Sequence, residues 1–285
     1  MGNYYIYLLG QWLVCVLPTK AAYALAVFIS DIHYTFSRTD RAAVRANLAA
    51  ITGNNVPDAM VREVFRNFGR YLVDFFTLTK KLTPEYIRDH VECVHIERLN
   101  EALKKGKGGI IISAHIGNWE MASCVVSATG HPLSIIALPH KDPRVNTLFN
   151  RQREFFGTTV FPTTTAVRRC LEHLRENRLI ALLVDRDFGA SGVSTDFLGR
   201  KAMIPKGAAL FALKTGAPLL PVVLVRKDNG DFKFVFYEPI EPPAMPQDGI
   251  TDGILTAFID RYLRVIEGMI RQYPAQWLMF REFWH

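Results

Sequence analysis

The chain predicts an α/β fold, a sheet flanked by helices, entered through a helical N-terminal region. Three observations lead there. From residue 91 onward, apolar runs of strand length alternate with segments of helical periodicity, the order that builds helix-covered sheets. With 285 residues the chain can bury a substantial core. No Gly/Ser-rich linker, low-complexity stretch or internal repeat divides it, so residues 51–285 read as a single α/β domain.

Residues 4–50 read as helices and end in the basic stretch Arg38, Arg41 and Arg45. From Asn3 to Thr19 no residue is charged, and Tyr4, Tyr5, Tyr7 and Trp12 interleave with Ile6, Leu8, Leu9, Leu13 and Val14. Lys20 interrupts, and a second apolar stretch covers 21–30. Each run is short for a spanning helix, which needs about 20 apolar residues. Tyr and Trp prefer the headgroup zone, so 1–50 is expected to be a membrane-associating region that lies in or dips into the interface. A single span and a pair of ordinary core helices are the alternatives. No basic residue precedes the apolar run, which argues against a secretory signal.

A helix over 57–81 follows, with Val61, Val64, Phe65, Phe68, Leu72, Phe75 and Phe76 at helical spacing. Thr83-Pro84 opens a new segment. Strands are expected at 91–96, 109–113, 133–138, 159–161, 179–184, 219–226 and 231–237. Helices are expected at 119–129, 145–156, 165–177, 204–215 and 250–273.

The segment that carries chemistry is Gly109-Ile-Ile-Ile-Ser-Ala-His-Ile-Gly-Asn-Trp-Glu120. An apolar run delivers His115, then Gly117 and Asn118, then Glu120. A histidine can take a proton from a hydroxyl near neutral pH, and a carboxylate can hold its ring in the right tautomer. In one continuous helix, residues five apart sit roughly 140° around the axis and share no face. The pair therefore requires His115 in a turn and Glu120 in the first turn of the next helix. Gly117 tolerates unusual backbone angles and Asn118 is a good N-cap. The helix dipole then favours the ionised form of Glu120. The alternative is a core strand and a capped helix with an incidental His.

Other clusters follow. Pro139-His-Lys-Asp-Pro-Arg144 stands at a strand end, with Arg151 and Arg153 beyond it; it reads as a grip on phosphate or carboxylate, or as a solvated loop. Asp185-Arg186-Asp187 comes directly after the apolar strand, where open α/β sheets bind ligands; a salt-bridge network is the alternative. Phe197-Leu-Gly-Arg200-Lys201 leads to Pro205-Lys206-Gly207 at a helix start, a natural anion site or ordinary helix initiation. Trp277, Phe280, Phe283 and Trp284 seal the core or cover an acyl chain.

The net charge of +7, with 49% hydrophobic residues, suits an anionic surface. Nucleic acid explains the charge but not the apolar N-terminus, so no nucleic-acid partner is expected. Cys15, Cys93, Cys124 and Cys170 are scattered and support neither disulfide framework nor zinc cluster. No Gly-x-Ser-x-Gly elbow exists. Gly106-Lys-Gly108-Gly109 precedes a strand instead of following one, so it fails as a nucleotide-binding fingerprint.

The segment Ser113-Ala-His115-Ile-Gly-Asn-Trp-Glu120 resembles the His-x4-Asp/Glu motif of the lysophospholipid acyltransferase superfamily. Its Gly-Asn-Trp-Glu wording is specific to the lipid A biosynthesis branch, the late lauroyl- and myristoyl-transferases. Arg41-x-x-Val-x-x-Asn47-Leu48 looks like that branch's Arg…Asn-Leu block, and Asp142-Pro143 through Arg153 and Gly157 its Asn-Pro…Arg…Gly block. Asp185-Arg-Asp187 is similar to its Asp-Gln-Asp, Phe197-Leu-Gly199 to its Phe-Phe-Gly, and Pro274-Ala-Gln276-Trp277 to its Pro-Glu-Gln-Trp. The departures bear on the acceptor. Pro139-His140-Lys141 replaces an Arg-Pro, Arg186 replaces a Gln, and Phe280-Arg281-Glu282 replaces a basic His-Arg-Arg.

The resemblance implies a central mixed sheet flanked by helices, as in glycerolipid acyltransferases, and an enzyme on the cytoplasmic face of the cell inner membrane, monotopic or single-span. It implies transfer of a fatty acyl group from acyl carrier protein or coenzyme A to a hydroxyl of an anionic glycolipid. A lipid A precursor is the first expectation; a phosphatidylinositol mannoside or lysophospholipid, or hydrolysis of the thioester, are alternatives. His115 is then the general base and Glu120 fixes the imidazolium. Asp185, Asp187 and Arg153 support the base or bind the acceptor. Arg144, Arg200 and Lys206 take lipid phosphates or the donor's phosphopantetheine, and Asn118 and Arg186 complete the substrate-binding set. No metal or cofactor is expected. A basic surface also suits acyl carrier protein, which is acidic.

Overall fold

Helices come first because nothing in 4–52 alternates with period two, and prolines punctuate them. The computed structural model describes residues 2–186, 192–244 and 249–284. Helix α1 (Gly2–Val16) ends before Pro18, and α2 (Thr19–Phe36) begins after it. Ser37 caps α3 (Arg38–Thr52) by accepting from the Asp40 N–H. Pro57 precedes α4 (Asp58–Lys81), whose Val61, Val64, Phe65, Phe75, Phe76 and Leu78 are buried at the expected spacing.

The alternating part runs α5 (Pro84–His90), β1 (Val91–Val94), α6 (Glu97–Leu103), β2 (Gly109–Ser113), α7 (Trp119–Ala128), β3 (Leu133–Ala137), α8 (Pro143–Glu154) and β4 (Thr159–Pro162). It continues with α9 (Ala166–Arg175), β5 (Leu179–Leu183), β6 (Val193–Phe197), β7 (Arg200–Ile204), α10 (Gly207–Thr215), β8 (Leu219–Arg226), β9 (Phe232–Phe236) and α11 (Asp252–Gln272). Among the described residues, seven strands form one sheet in the order β1-β9-β8-β2-β5-β3-β4. The β8/β9 pair is antiparallel and the others are parallel, so the sheet is mixed as expected. Helices cover both faces. Ile110 and Ile112 of β2 enter one core, with α9, α10 and α11, and Ile111 enters the other, with α7 and the second half of α4. That two-sided burial is why β2 and β8 read as continuous apolar runs.

Two parts of the element reading change. Residues 200–204 form a strand paired antiparallel to β6, and α10 starts at Gly207, after Pro205. The alternating exposure of β7 accounts for this: only Ala202 and Ile204 are buried, a two-residue period within a charged surface hairpin. Helices α5 and α6 carry two buried apolar residues between them, Leu99 and Ala102, too few for a helical stripe to show.

Among the described residues no helix is long and apolar enough to cross a membrane. Helices α1 and α2 instead leave Tyr5, Ile6, Leu9, Trp12, Val16, Phe28, Ile29, Ile32 and Phe36 exposed, while α2 docks on α4 through Tyr23 and the Asp31–Arg66 ion pair.

Candidate active site

Strands β2 and β5 run in parallel with Ser113 opposite Leu183. Two steps past each of these positions, the same register sets His115 beside Asp185. His115 Nδ1 lies 2.8 Å from Asp185 Oδ1, and the His115 backbone N–H donates to Oδ2 at 2.8 Å. Trp277 Nε1 donates to that same oxygen at 2.9 Å. Asp185 is 0% exposed. Burial pushes its carboxyl up, but the charge of His115 and the hydrogen bonds from His115 and Trp277 outweigh burial and hold it below the usual carboxylate range. With its proton on Nδ1 a neutral ring would donate to Asp185 and carry its lone pair on Nε2. Among the described residues, nothing hydrogen-bonds Nε2.

The turn after β2 is clamped by backbone. Leu278 N donates to His115 O at 2.8 Å, Gly117 N to Gln276 O at 2.9 Å, and Asn118 N to Leu224 O at 2.8 Å. Gly117 has φ 62°, and a Cβ there would collide with the Leu224 carbonyl oxygen. Only glycine fits that combination of left-handed backbone and close approach. Asn118 then caps α7, its Oδ1 accepting from Met121 N at 2.9 Å. Trp119 lies edge-on to the His115 ring and stacks on Tyr71.

Glu120 sits in the first turn of α7, where the spacing placed it. Its side chain does not hold His115. Both oxygens go to Arg153 of α8, from Nε at 2.9 Å and from Nη2 at 2.5 Å. Burial pulls the guanidinium down, and Glu120 more than offsets it, so Arg153 is raised. The carboxylate that holds the imidazole comes from the neighbouring strand, because strand register reaches His115 directly while the helix turns Glu120 toward α8. Burial pushes the Cys124 thiol, one turn past Glu120, up to about 12.

The model of the bacterial lipid A biosynthesis acyltransferases matches residues 1–285. The chain belongs to this family. It is an acyltransferase. The chain is 30% identical over 285 residues to a phosphatidylinositol mannoside acyltransferase of Mycolicibacterium smegmatis, covering 98% of this chain and 90% of that one. A protein of the same description from Mycobacterium tuberculosis is 28% identical over 249 residues, with 85% and 76% covered. A lipid A biosynthesis acyltransferase of Haemophilus influenzae is 26% identical over 142 residues, 49% of this chain and 44% of that one.

The acyltransferase motif therefore gathers part of the expected set and disperses the rest. His115 and Asp185 meet, as do Glu120 and Arg153. Asp185 is committed to three N–H donors and buried, so it faces His115 and Trp277 and not solvent. Asn118 is likewise buried and committed, by its cap and by donating to Asp74 Oδ2 at 3.3 Å. Arg144 is drawn to Asp142, with Nη2–Oδ2 at 2.8 Å, and to the ring of Tyr4 on α1, at 4.5 Å. Arg200 lies over the Trp284 ring at 5.7 Å. Lys206 stands just before α10, half-buried. Arg186 is half-buried, its guanidinium pulled down by burial and then by Arg281. Asp187 lies outside the described residues. Sequence reasoning missed the Trp277 hydrogen bond and the trio of buried Asp74 with half-buried Tyr23 and Arg226. Asp74 did leave a signal: a lone carboxylate between Val73 and Phe75 on a buried helical stripe requires a partner.

Proposed function

We propose that this acyltransferase moves a fatty acyl group from an acyl thioester to a hydroxyl of an anionic glycolipid, with His115 as general base. One observation carries the reading: His115 Nδ1 lies 2.8 Å from the buried carboxyl group of Asp185, while Nε2 has no hydrogen-bond partner among the described residues. Nε2 takes the proton of the acceptor hydroxyl, and that oxygen attacks the thioester carbonyl carbon. The C–S bond then breaks, and the imidazolium returns the proton to the departing thiolate. Asp185 stabilises the imidazolium while it exists. Glu120 and Arg153 tie α7 to α8 and so hold the wall of the site beside the motif.

Acyl carrier protein and coenzyme A are the donors under this reading. A mannosylated phosphoinositide is supported as acceptor by similarity over nearly the full chain, and a lipid A precursor by the family model and a shorter similarity. Residues 1–50 carry the exposed apolar side chains that suit the membrane interface, and the cytoplasmic face of the inner membrane is where both thioester donors are available.

The test is mass spectrometry of products from the detergent-solubilised protein beside His115→Ala. Donors are an acyl carrier protein thioester and an acyl-coenzyme A, offered with a lipid A precursor, a phosphatidylinositol mannoside and a lysophospholipid. The expected result is a mass gain on one glycolipid that falls about 10²–10⁴-fold in the variant. Acylation of lysophospholipid alone, or release of free fatty acid alone, would overturn the glycolipid reading. Undiminished turnover by His115→Ala would overturn the mechanism.

A further inference from the structure

Behind the catalytic turn lies a polar cluster that the transfer chemistry does not use. Asp74, on α4 and 3% exposed, receives the Tyr23 hydroxyl from α2, a guanidinium N–H of Arg226 from the end of β8, and the Asn118 amide at 3.3 Å. Arg226 also donates to the Tyr23 hydroxyl at 3.1 Å and to Gly230 O at 2.8 Å. Gln276 brackets the Arg226 backbone, accepting from its N–H at 2.9 Å and donating to its carbonyl at 2.8 Å. Tyr23, Asp74, Asn118 and Arg226 therefore tie α2, α4, the start of α7 and β8 together.

An ion pair that merely braces helices has no need of Asn118. That amide has two ends with different work: Oδ1 caps α7 on Met121 N, and Nδ2 points at Asp74. The carboxylate accepts only, so it fixes which end faces which way and leaves Oδ1 for the cap. The cap in turn sets where α7 begins, and with it Trp119 against the His115 ring and Glu120 against Arg153. Replacing the carboxylate would strand a buried N–H donor in the residue that starts the helix.

We propose that Asp74 is a positioning residue of the catalytic turn, acting on His115 through Asn118, and that its Tyr23 contact makes α2 a structural member of the active site. This rests on the reading of His115 as the base.

The decisive substitution is Asn118→Ser. Serine keeps the capping oxygen and removes the amide that reaches Asp74. It is compared in two backgrounds, the natural chain and Asp74→Leu/Arg226→Met, in which neither a buried charge nor an acceptor for the Asn118 amide is left. Turnover is followed with the thioester and glycolipid that give the mass gain, and thermal melting is recorded for every variant. In the natural background kcat should fall about 10- to 100-fold, the scale that displaced reacting groups produce, with KM for the thioester little changed. In the charge-free background Asn118→Ser should have no further effect, because the two changes remove one interaction. Asp31→Asn, which breaks the separate α2–α4 pair with Arg66, should lower the melting temperature and leave kcat alone. Equal effects of Asn118→Ser in both backgrounds, an unchanged kcat in the first, or a loss with Asp31→Asn as large as with Asn118→Ser would each overturn the proposal. His115→Ala separates the two levels. If it is inactive while the effects multiply, only the role of Asp74 falls; if it stays active, the base reading falls and the positioning role with it.

Discussion

The carboxyl edge of the sheet and the α1–α2 hairpin treat their side chains in opposite ways. At the sheet edge, Asp185, Glu120 and Asp74 are buried, and each is matched to donors within hydrogen-bond distance. On the hairpin, Trp12 is 59% exposed and Phe28 62%, although the chain has cores on both faces of the sheet to hold such residues. Burying a carboxylate is costly unless it is paired, so a site that does it three times, on α4, on α7 and past β5, is fixed in geometry. Exposing large apolar groups on neighbouring helices is costly unless an apolar phase takes them. Under the function proposed above, chemistry belongs to the rigid edge and attachment to the exposed faces of α1 and α2.

The sharpest way to break this division is at Asp185. In Asp185→Asn an amide N–H₂ facing His115 Nδ1 favours the tautomer with the proton on Nε2, the wrong atom for a base. Turnover should fall about 10²–10⁴-fold with little change in KM. The same carboxyl sets an acid limit. Its folded-state value is depressed, so its contribution to stability is present above the ordinary carboxylate value of about 4 and is lost as pH falls through the depressed folded value. Acid-unfolding curves should show this step in the wild type and lack it in Asp185→Asn. A variant that keeps its activity would show that the edge is not organised around His115.

Glu120 and Arg153 sharpen the comparison within the edge itself. Arg153→Met leaves Glu120 buried without its partner, which costs about 3–5 kcal/mol in comparable pairs. Denaturant unfolding should register that loss. A variant of unchanged stability would mean that solvent reaches Glu120, and the rigid wall between α7 and α8 would have to be given up.

These two carboxylates also show how far the sequence could be read. The alternation of strands and helices was legible because β2 and β8 are buried on both faces and α4 and α11 carry long apolar stripes. The turn at Gly117 and the cap at Asn118 were legible because backbone geometry leaves few residues able to serve there. The partner of His115 was not. Spacing along the chain singled out Glu120, five residues away, whereas Asp185 reaches His115 through a parallel pairing of strands 70 positions apart, and no local pattern encodes register. Trp277 was hidden for the same reason, although the resemblance had marked its block. The β6/β7 hairpin was missed because its short, charged strands bury only alternate residues.

The hairpin offers the smallest effect and the cleanest separation. Phe28 touches solvent over most of its surface, so Phe28→Ser removes little that holds the fold. If α2 seats in a bilayer, the same change removes one aromatic anchor, and loss of even part of its apolar area weakens binding by about tenfold. Co-sedimentation with phosphatidylethanolamine–phosphatidylglycerol vesicles should show that shift, while melting temperature and turnover in detergent stay at wild-type values. Unchanged vesicle binding would detach α2 from the membrane and leave its apolar face to another partner. A fall in detergent turnover of the same size would mean instead that the exposed face of α2 cannot be changed without disturbing the Tyr23–Asp74 contact.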